Sequence, residues 1–155
     1  MPAEPTRARP RFAPSYGIAT DGEGMLDWRW ATERLAAARN YWIVTTREDG
    51  SPHVAPVWGL WHDDGIVFGT SPDSRKNRNL DRDRRVVVHL ESGDEVVIVE
   101  GLADRTYLDE DLADLYGAKY EFRPDPGPGW WRVEPRVAYA WLESEYPSTA
   151  TRFEF

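Results

Sequence analysis

The chain has 155 residues, enough for one domain with its own hydrophobic core. Its 27 acidic residues outnumber its 19 lysines and arginines, and the resulting net charge of -8 argues against binding to nucleic acids or membrane surfaces. The absence of cysteine excludes disulfides, thiolate nucleophiles and cysteine-ligated metal sites, and no apolar run has the length of a membrane span or the character of a signal peptide, so we expect a cytoplasmic protein.

Residues 1–26 contain several prolines and glycines without hydrophobic periodicity, and they predict an extended arm that is either mobile or lies on a surface. The aromatic side chains of Phe12 and Tyr16 indicate that the second half of the arm is docked. A helix is predicted from about Trp28 to Arg39, with Asp27 as its N-cap, because apolar residues recur on one face.

Six segments rich in β-branched and aromatic residues predict strands. They are residues 41–46, 52–61, 65–70, 85–90, 95–103 and 131–143, the last of them broken or divided in two. Pro56 lacks an N–H, so the second strand should be interrupted or unpaired on one side there. Two helices are predicted among these strands, one just after residue 70 and one from about Leu108 to Lys119, capped near Thr106. Residues 123–129, rich in proline and glycine, predict an irregular loop.

This order of elements predicts a mainly β fold with minor α structure, in which residues 27–155 form a single domain. The sheet should be mostly antiparallel. Six strands in so small a chain favour a closed barrel, because closure removes exposed sheet edges.

The stretch Thr70–Leu80 follows the third predicted strand directly and opens the basic helix. Ser71 suits an N-cap and Pro72 the first helical position. The first N–H groups of a helix lack internal partners, so its tip favours anions, and basic side chains beside it would form a seat for a phosphate group. The polar residues beside those donors are Ser74, Arg75 and Lys76. An ordinary capped surface helix explains the same residues, and the stretch alone leaves both interpretations open.

Residues 75–85 form a basic segment within this acidic chain, with six positive side chains and two negative ones. Such a local cluster indicates a small anionic ligand rather than a polyanion. A solvated helix face with alternating charges remains the alternative interpretation.

No catalytic set is evident in the sequence. No serine lies in a Gly-x-Ser-x-Gly elbow, and no histidine pair has metal-ligand spacing, so no metal site is predicted. Difficult chemistry would therefore have to come from a cofactor. His53, Tyr120 and Tyr139 are candidate proton donors, and none of them is singled out.

Several short motifs follow one another with a definite spacing. They are Asp49-Gly50-Ser51-Pro52-His53-Val54, Pro56-Val57-Trp58, Phe68-x-Thr70, Ser74-Arg75-Lys76-x-x-Asn79-Leu80 and Val99-Glu100-Gly101. In this order the chain resembles the pyridoxamine 5'-phosphate oxidase-like split barrels. Within them it is similar to the flavin/deazaflavin oxidoreductases, above all the branch that uses coenzyme F420.

The resemblance implies a six-stranded antiparallel split β-barrel of the FMN-binding type. It also implies a homodimer with the cofactor at the subunit interface, and the eight tryptophans agree with such an interface. The implied cofactor is coenzyme F420, with FMN as the alternative. The implied activity is hydride transfer to or from a small planar or conjugated substrate. The alternative is a carrier that binds a flavin, deazaflavin or haem without turnover.

The resemblance also implies which residues hold the cofactor. Ser74, Arg75 and Lys76 would hold its phosphate, and Gly69 and Thr70 would flank the phosphate or the ribityl chain. Four consecutive residues of the second strand would run along the edge of the ring and offer backbone groups to it. These residues are Ala55, Pro56, Val57 and Trp58.

The chain departs from the oxidase proper at two places. An Arg-Gln pair precedes the Val-x-Val-Glu-Gly strand in the oxidase, whereas Glu95 and Val96 stand here, and its substrate-phosphate residues are not evident near the C-terminus. Oxidation of vitamin B6 is therefore not expected.

The acidic tail of coenzyme F420 would need basic partners. Four arginines of the basic segment are candidates for holding it, or else they pair with Asp81 and Asp83 on the surface. These arginines are Arg78, Arg82, Arg84 and Arg85.

Overall fold

The computed structural model describes residues 3–155, and it shows one mostly antiparallel sheet with few helices. Met1 and Pro2 of the expected arm lie outside the described residues. The strands are β1 (Thr6–Ala8), β2 (Tyr41–Thr46), β3 (Pro52–Val57), β4 (Gly59–His62), β5 (Gly65–Gly69), β6 (Arg85–His89), β7 (Glu95–Leu108), β8 (Gly127–Leu142) and β9 (Thr151–Glu154). The helices are α1 (Trp28–Ala37), α2 (Arg75–Arg82), α3 (Glu110–Tyr120) and the single turn α4 (Tyr146–Thr149).

All six predicted strands are present, with differences at their ends. The second one divides at Trp58 into β3 and β4, and the short strands β1 and β9 are additional. β8 is continuous and begins at Gly127, inside the segment expected to be irregular, because Gly127 pairs with Leu108 of β7. Since β7 continues to Leu108, α3 starts later than expected. Its N-cap is Asp109, whose carboxylate accepts from the Leu112 N–H at 2.8 Å, and not a residue near Thr106.

The strands are ordered β1-β9-β8-β7-β6-β2-β3, and β8 also pairs with β5, which pairs with β4. Among residues 3–155, β3 pairs only with β2 and β4 only with β5. The hydrogen-bonded ladder therefore stays open between β3 and β4, and the expectation of a closed barrel was wrong in that respect. The predicted fold class, an antiparallel split barrel, is confirmed.

A bulge bends the long β7–β8 pair near its middle. Glu100 pairs with Val137 and Gly101 with Pro135, so Arg136 has no opposite residue. A Cβ atom at Gly101 would lie 2.3 Å from the Glu134 carbonyl oxygen, and only glycine permits this approach. The bend lets one end of β8 pair with β5 and its other end with β9.

Two hydrophobic clusters hold the helices on the barrel. The larger one fills the interior and includes the completely buried Leu80 of α2. The smaller one lies under α3 and contains Leu60, Leu108, Tyr116 and Tyr120. Both helices are therefore anchored through buried side chains close to the opening between β3 and β4.

The N-terminal arm lies on the sheet. β1 pairs with β9, and Phe12 contacts the rings of Trp141 and Tyr146. Among residues 3–155, no helix has both the length and the hydrophobicity that a membrane span requires.

Candidate functional site

The turn between β5 and α2 differs from the expected one. The Ser74 N–H donates to the Ser71 carbonyl at 3.0 Å, so Pro72 lies in a β-turn and not in the helix. Ser74 is the N-cap, and its hydroxyl accepts from the Asn77 N–H at 3.2 Å. Ser71 as the predicted cap is therefore wrong by three residues, because proline suits the second position of a turn as well as the first position of a helix.

Two buried asparagines fix α2 on the barrel: Asn77, which the sequence analysis did not name, and Asn79, which it named only as part of a motif. The Asn77 amide donates to the Pro72 carbonyl at 2.9 Å and accepts from the Trp131 indole at 3.1 Å. The Asn79 amide donates to the Thr45 hydroxyl at 3.0 Å. An asparagine in a polar helix usually indicates exposure, so only the fold reveals these roles.

Replacing Asn77 with alanine is expected to lower the free energy of unfolding by about 2 kcal/mol, because the buried Trp131 N–H loses its acceptor. Urea unfolding checks this. The matched control is Arg78→Ala, which removes an exposed side chain from the same helix and should change stability by no more than about 0.5 kcal/mol. Equal effects of the two substitutions would contradict the role of Asn77.

The start of α2 presents donors and positive charge without internal partners. We call the group formed by Thr70, Ser74, Arg75 and Lys76, with the first N–H groups of the helix, the α2 tip. The Thr70 and Ser74 hydroxyls are hydrogen-bonded at 2.9 Å. Neither the Arg75 guanidinium nor the half-buried Lys76 ammonium has a hydrogen-bond or ion-pair partner among residues 3–155. The tip thus combines helix donors with two unneutralised cations, as an anion site requires.

The other arginines of the basic segment are engaged within the chain. Arg78 donates to the Asp73 carbonyl, and Arg82 donates to the Thr46 carbonyl. Arg84 pairs with Asp104 and Arg85 with Asp83, while Asp81 is held by Arg105. Of the expected surface pairs with Asp81 and Asp83, only Arg85–Asp83 is present in the described part of the chain. Arg78 and Arg82 donate to neutral carbonyl groups and keep their charge, whereas the side chains of Arg75 and Lys76 have no partner among residues 3–155.

His53 faces this charge from β3. Its Nδ1 atom is buried and has no hydrogen-bond partner among residues 3–155. Burial, followed by the positive charges of Arg47, Lys76 and Arg75, lowers the pKa of His53. A buried polar atom without a partner is unusual, and an anion beside it would supply an acceptor and offset the cations.

We expect Lys76→Ala to raise the pKa of His53 towards the ordinary value of about 6.5, because one of the opposing charges is removed. Titration of the His53 ring by NMR checks this. Because the pKa of His53 is depressed in the folded state, the unfolded chain binds more protons than the folded chain below about pH 6.5. The folded state therefore loses stability as the pH falls through this range. An unchanged His53 pKa in Lys76→Ala would contradict this electrostatic contact.

The four expected ring-edge residues lie at the open edge of the sheet. Ala55, Pro56 and Val57 pair on one side with β2, and no strand among residues 3–155 pairs with the other side. Pro56 therefore sits on an edge strand, as its missing N–H predicted, although the chain breaks at Trp58 instead. His53 of β3 lies opposite Thr45 of β2, and the Thr45 hydroxyl accepts from Asn79 of α2, so β3 and α2 meet at the same part of β2.

Trp58 begins a row of aromatic rings that crosses to the end of β5. Its indole stacks on Tyr120 with centroids 4.6 Å apart and an interplanar angle of 3°. Tyr120 contacts Tyr116 at 4.7 Å, and Tyr116 meets Trp130 edge-on at 5.4 Å. The Trp130 ring lies against Gly69, where a Cβ atom would come within 3.1 Å of it. The sequence contains no local signal for this row.

The candidate proton donors lie in different surroundings. The Tyr120 hydroxyl donates to the Arg39 carbonyl at 2.8 Å and accepts from the Gly59 N–H at 2.9 Å, and burial raises its pKa. Tyr139 lines a separate cleft with Arg9 and Arg152. Of the three candidates, His53 is the one beside the α2 tip.

Lys119 of α3 is half-buried beside the start of β4, a position that the sequence did not reveal. Its ammonium donates to the Gly59 carbonyl at 2.8 Å and to the Tyr41 hydroxyl at 3.1 Å. Burial lowers the pKa of Lys119 to about 8. These bonds tie α3 to Gly59 at the start of β4, next to Trp58 in the chain.

The fold is an open split barrel in which the start of α2 lies near a free strand edge. A sequence profile of the pyridoxamine 5'-phosphate oxidase family matches residues 31–142. The chain belongs to this family.

Solved structures show the same fold at low sequence identity. A conserved hypothetical protein from Mycobacterium tuberculosis matches with a TM-score of 0.65 and 20% identity, over 81% of this chain and 90% of that one. An F420 reductase matches with a TM-score of 0.54 and 19% identity, over 68% and 94%. A haem storage protein from Vibrio cholerae matches with a TM-score of 0.56 and 14% identity, over 68% and 87%. No curated protein matches the chain in sequence.

Proposed function

We propose that the protein is a flavin- or deazaflavin-dependent oxidoreductase that binds coenzyme F420, with FMN as the alternative. It would transfer a hydride between this cofactor and a small planar or conjugated substrate. The observation that carries the proposal is the α2 tip, where Arg75 and Lys76 have no internal partner and their charges, with that of Arg47, act on His53, whose buried Nδ1 also has none. Such a site fits a phosphate group.

Each part of the site would have its own task. Arg75 and Lys76 would hold the phosphate oxygens together with the first N–H groups of α2, while Gly69 and Thr70 would lie beside the phosphate or the ribityl chain. The free edge of β3 would present backbone groups to the ring. The cofactor, when bound, supplies the redox chemistry, and the chain supplies binding, orientation and exclusion of water.

The choice between the two cofactors depends on the acidic tail of coenzyme F420. The F420 reductase shares the fold, and the motifs of the chain resemble the F420-dependent branch. However, Arg78, Arg82, Arg84 and Arg85 already have partners within the chain, so the tail would have to exchange these contacts for its own. FMN lacks this acidic tail, so its binding requires no exchange of the arginine contacts.

A carrier without turnover is the second candidate. Its support is that two of the three candidate proton donors are poorly placed for catalysis. The Tyr120 hydroxyl is engaged on both sides, and Tyr139 lies in a separate cleft. Of the three, His53 remains near the α2 tip. The haem storage protein shows that this fold also belongs to a storage protein.

Titration of the purified protein with FMN and with coenzyme F420 tests the proposal. We expect micromolar or tighter binding of at least one of them. Addition of a planar acceptor to the reduced complex should then accelerate cofactor oxidation. Binding without acceleration across a panel of acceptors would favour the carrier, and failure of both cofactors to bind would refute the proposed function.

We further propose a homodimer that forms through the outer face of the sheet, with the cofactor at the interface. Two rows of residues, all half-buried except the exposed Glu100, cross this face from β2 to β8. The rows are Val44-Val87-Glu100-Val137 and Trp42-His89-Ile98-Tyr139. A solvated face of an antiparallel sheet is normally polar, so a mainly apolar one favours a partner, and a second copy is the simplest. The cytoplasmic location stays a prediction.

A further inference from the structure

A cleft of about 340 Å³ lies beside the α2 tip, between the end of β5 and the segment that joins α3 to β8. Thr70 belongs to both, because it lines the cleft while its hydroxyl bonds to Ser74. The remaining walls are apolar or aromatic. They include Gly69, Tyr116, Phe122 and Trp130 and the prolines Pro72, Pro124 and Pro128.

The floor and rim of this cleft are rigid. The Trp130 ring packs against the Cα atom of Gly69, and Tyr116, only 7% exposed, supports it edge-on at 5.4 Å. The three prolines have fixed φ angles, which restrict movement of the rim. The cleft is therefore preformed, as small-molecule sites usually are.

The mouth of the cleft exposes a large apolar side chain but no charge. Phe122 is 60% exposed, although most aromatic side chains of this size are covered. None of the described lining residues is ionic, and the neighbouring Arg123 is turned towards Glu110 and Asp114 on α3. Arg75 and Lys76 of the α2 tip are not among the lining residues, so a carboxylate held within the cleft would lose water without a lining cation to pair with. The lining therefore favours an uncharged ligand.

The aromatic row connects this cleft with the expected cofactor edge. From Trp130 it continues through Tyr116 and Tyr120 to Trp58, which is 39% exposed at the end of β3. Tyr116 and Tyr120 are only 7% and 5% exposed, so a ligand can meet the row only at its two ends, Trp130 in the cleft and Trp58 at the edge of β3. The row therefore fixes these two rings, which can attract planar ligands, within one packed unit.

We propose that this cleft binds the substrate, and that the substrate is an uncharged planar aromatic compound. The assignment of the ligand as a substrate rests on the proposed function. The cleft itself, its aromatic walls and its lack of charge do not depend on it. The experiment below distinguishes a substrate from two other possible occupants of the cleft. These are the acidic tail of a deazaflavin and a ring attached to the cofactor phosphate.

Two probes of the same ring size test the selection against charge. We would measure the binding of 2-naphthol, uncharged at pH 7, and of 2-naphthoate, an anion, to the cofactor-free protein by saturation-transfer NMR and calorimetry. 2-Naphthol should bind at least about tenfold more tightly than 2-naphthoate. Trp130→Ala should weaken 2-naphthol about tenfold and Phe122→Ala about threefold. Tyr107→Ala, which removes an aromatic ring that is 58% exposed but lies outside the cleft, should have no effect.

The same titration is repeated with the protein saturated with FMN or coenzyme F420. Unchanged or tighter 2-naphthol binding supports a substrate site, whereas displacement by the cofactor would assign the cleft to the cofactor and overturn the proposal. Equal binding of the two probes, or unchanged binding in both Trp130→Ala and Phe122→Ala, would also overturn it. If Trp130→Ala does not fold, the effect of Phe122→Ala on 2-naphthol binding still tests the proposal, because Phe122 is exposed. Failure of either cofactor to bind is measured separately and would refute the proposed function, not the aromatic site.

Discussion

Replacing Arg75 and Lys76 together with alanine is expected to weaken the binding of FMN or coenzyme F420 by at least about a hundredfold. A hydrogen bond to a charged group contributes about 1.5–3 kcal/mol, and two such contacts to a phosphate account for this loss. Neither side chain has a partner within residues 3–155, so the substitution leaves no internal group unpaired and stability should be preserved. Calorimetric titration measures the affinity, and urea unfolding checks the fold.

The matched control is the double variant Arg78→Ala and Arg85→Ala. It removes the same total charge from the same segment, but from side chains that are engaged with Asp73 and Asp83. We expect FMN affinity to fall by no more than about threefold in this control, by loss of long-range attraction alone. If both double variants lose affinity equally, the basic segment acts only through its net charge, and the phosphate is not held at the α2 tip.

Local sequence preferences predict the residues at the α2 tip correctly but not the residue that caps the helix. Ser74, Arg75 and Lys76 were predicted to gather beside a helix start, and the structure places them there. The capping residue was wrong because Ser71-Pro72 satisfies the local preferences of a helix start as well as those of a turn. Long-range contacts of Asn77 with Trp131 and of Asn79 with Thr45 accompany the observed start, and neither is visible in local propensities.

The strands were predictable for a physical reason. Runs such as Val86-Val87-Val88 and Val96-Val97-Ile98-Val99 are β-branched and too short for a buried helix, so pattern and propensity agree. The continuity of β8 through Pro135 was not predictable, because its bulge at Arg136 depends on the close approach of Gly101 in another strand, β7. The sequence analysis missed the aromatic row and the cleft at Trp130, because their members come from distant parts of the chain and meet only when it folds.

A carboxylate on the outer face of the sheet is expected to dissociate the proposed homodimer. Val87 lies between the buried residues Val86 and Val88, so its side chain points outwards, and it is paired with Val44 and Glu100 in the middle of the face. Val87→Asp would place an unpaired charge within the interface, next to Glu100. Such burial costs several kcal/mol, so the dimer dissociation constant should rise by at least about a hundredfold.

Analytical ultracentrifugation of the cofactor-free protein measures this change, and the matched control is Leu115→Asp, which adds the same charge at a residue of α3 that is 47% exposed and away from the sheet face. The control should remain dimeric.

Because the resemblance places the cofactor between subunits, we also expect Val87→Asp to bind FMN or coenzyme F420 more weakly, although Arg75 and Lys76 are unchanged. A wild-type protein that is monomeric at micromolar concentration, or a Val87→Asp variant that remains dimeric, would contradict an interface through this face. Dissociation without any loss of cofactor affinity would retain the dimer but remove the cofactor from the interface, because the α2 tip and the β3 edge of one subunit would then suffice for binding.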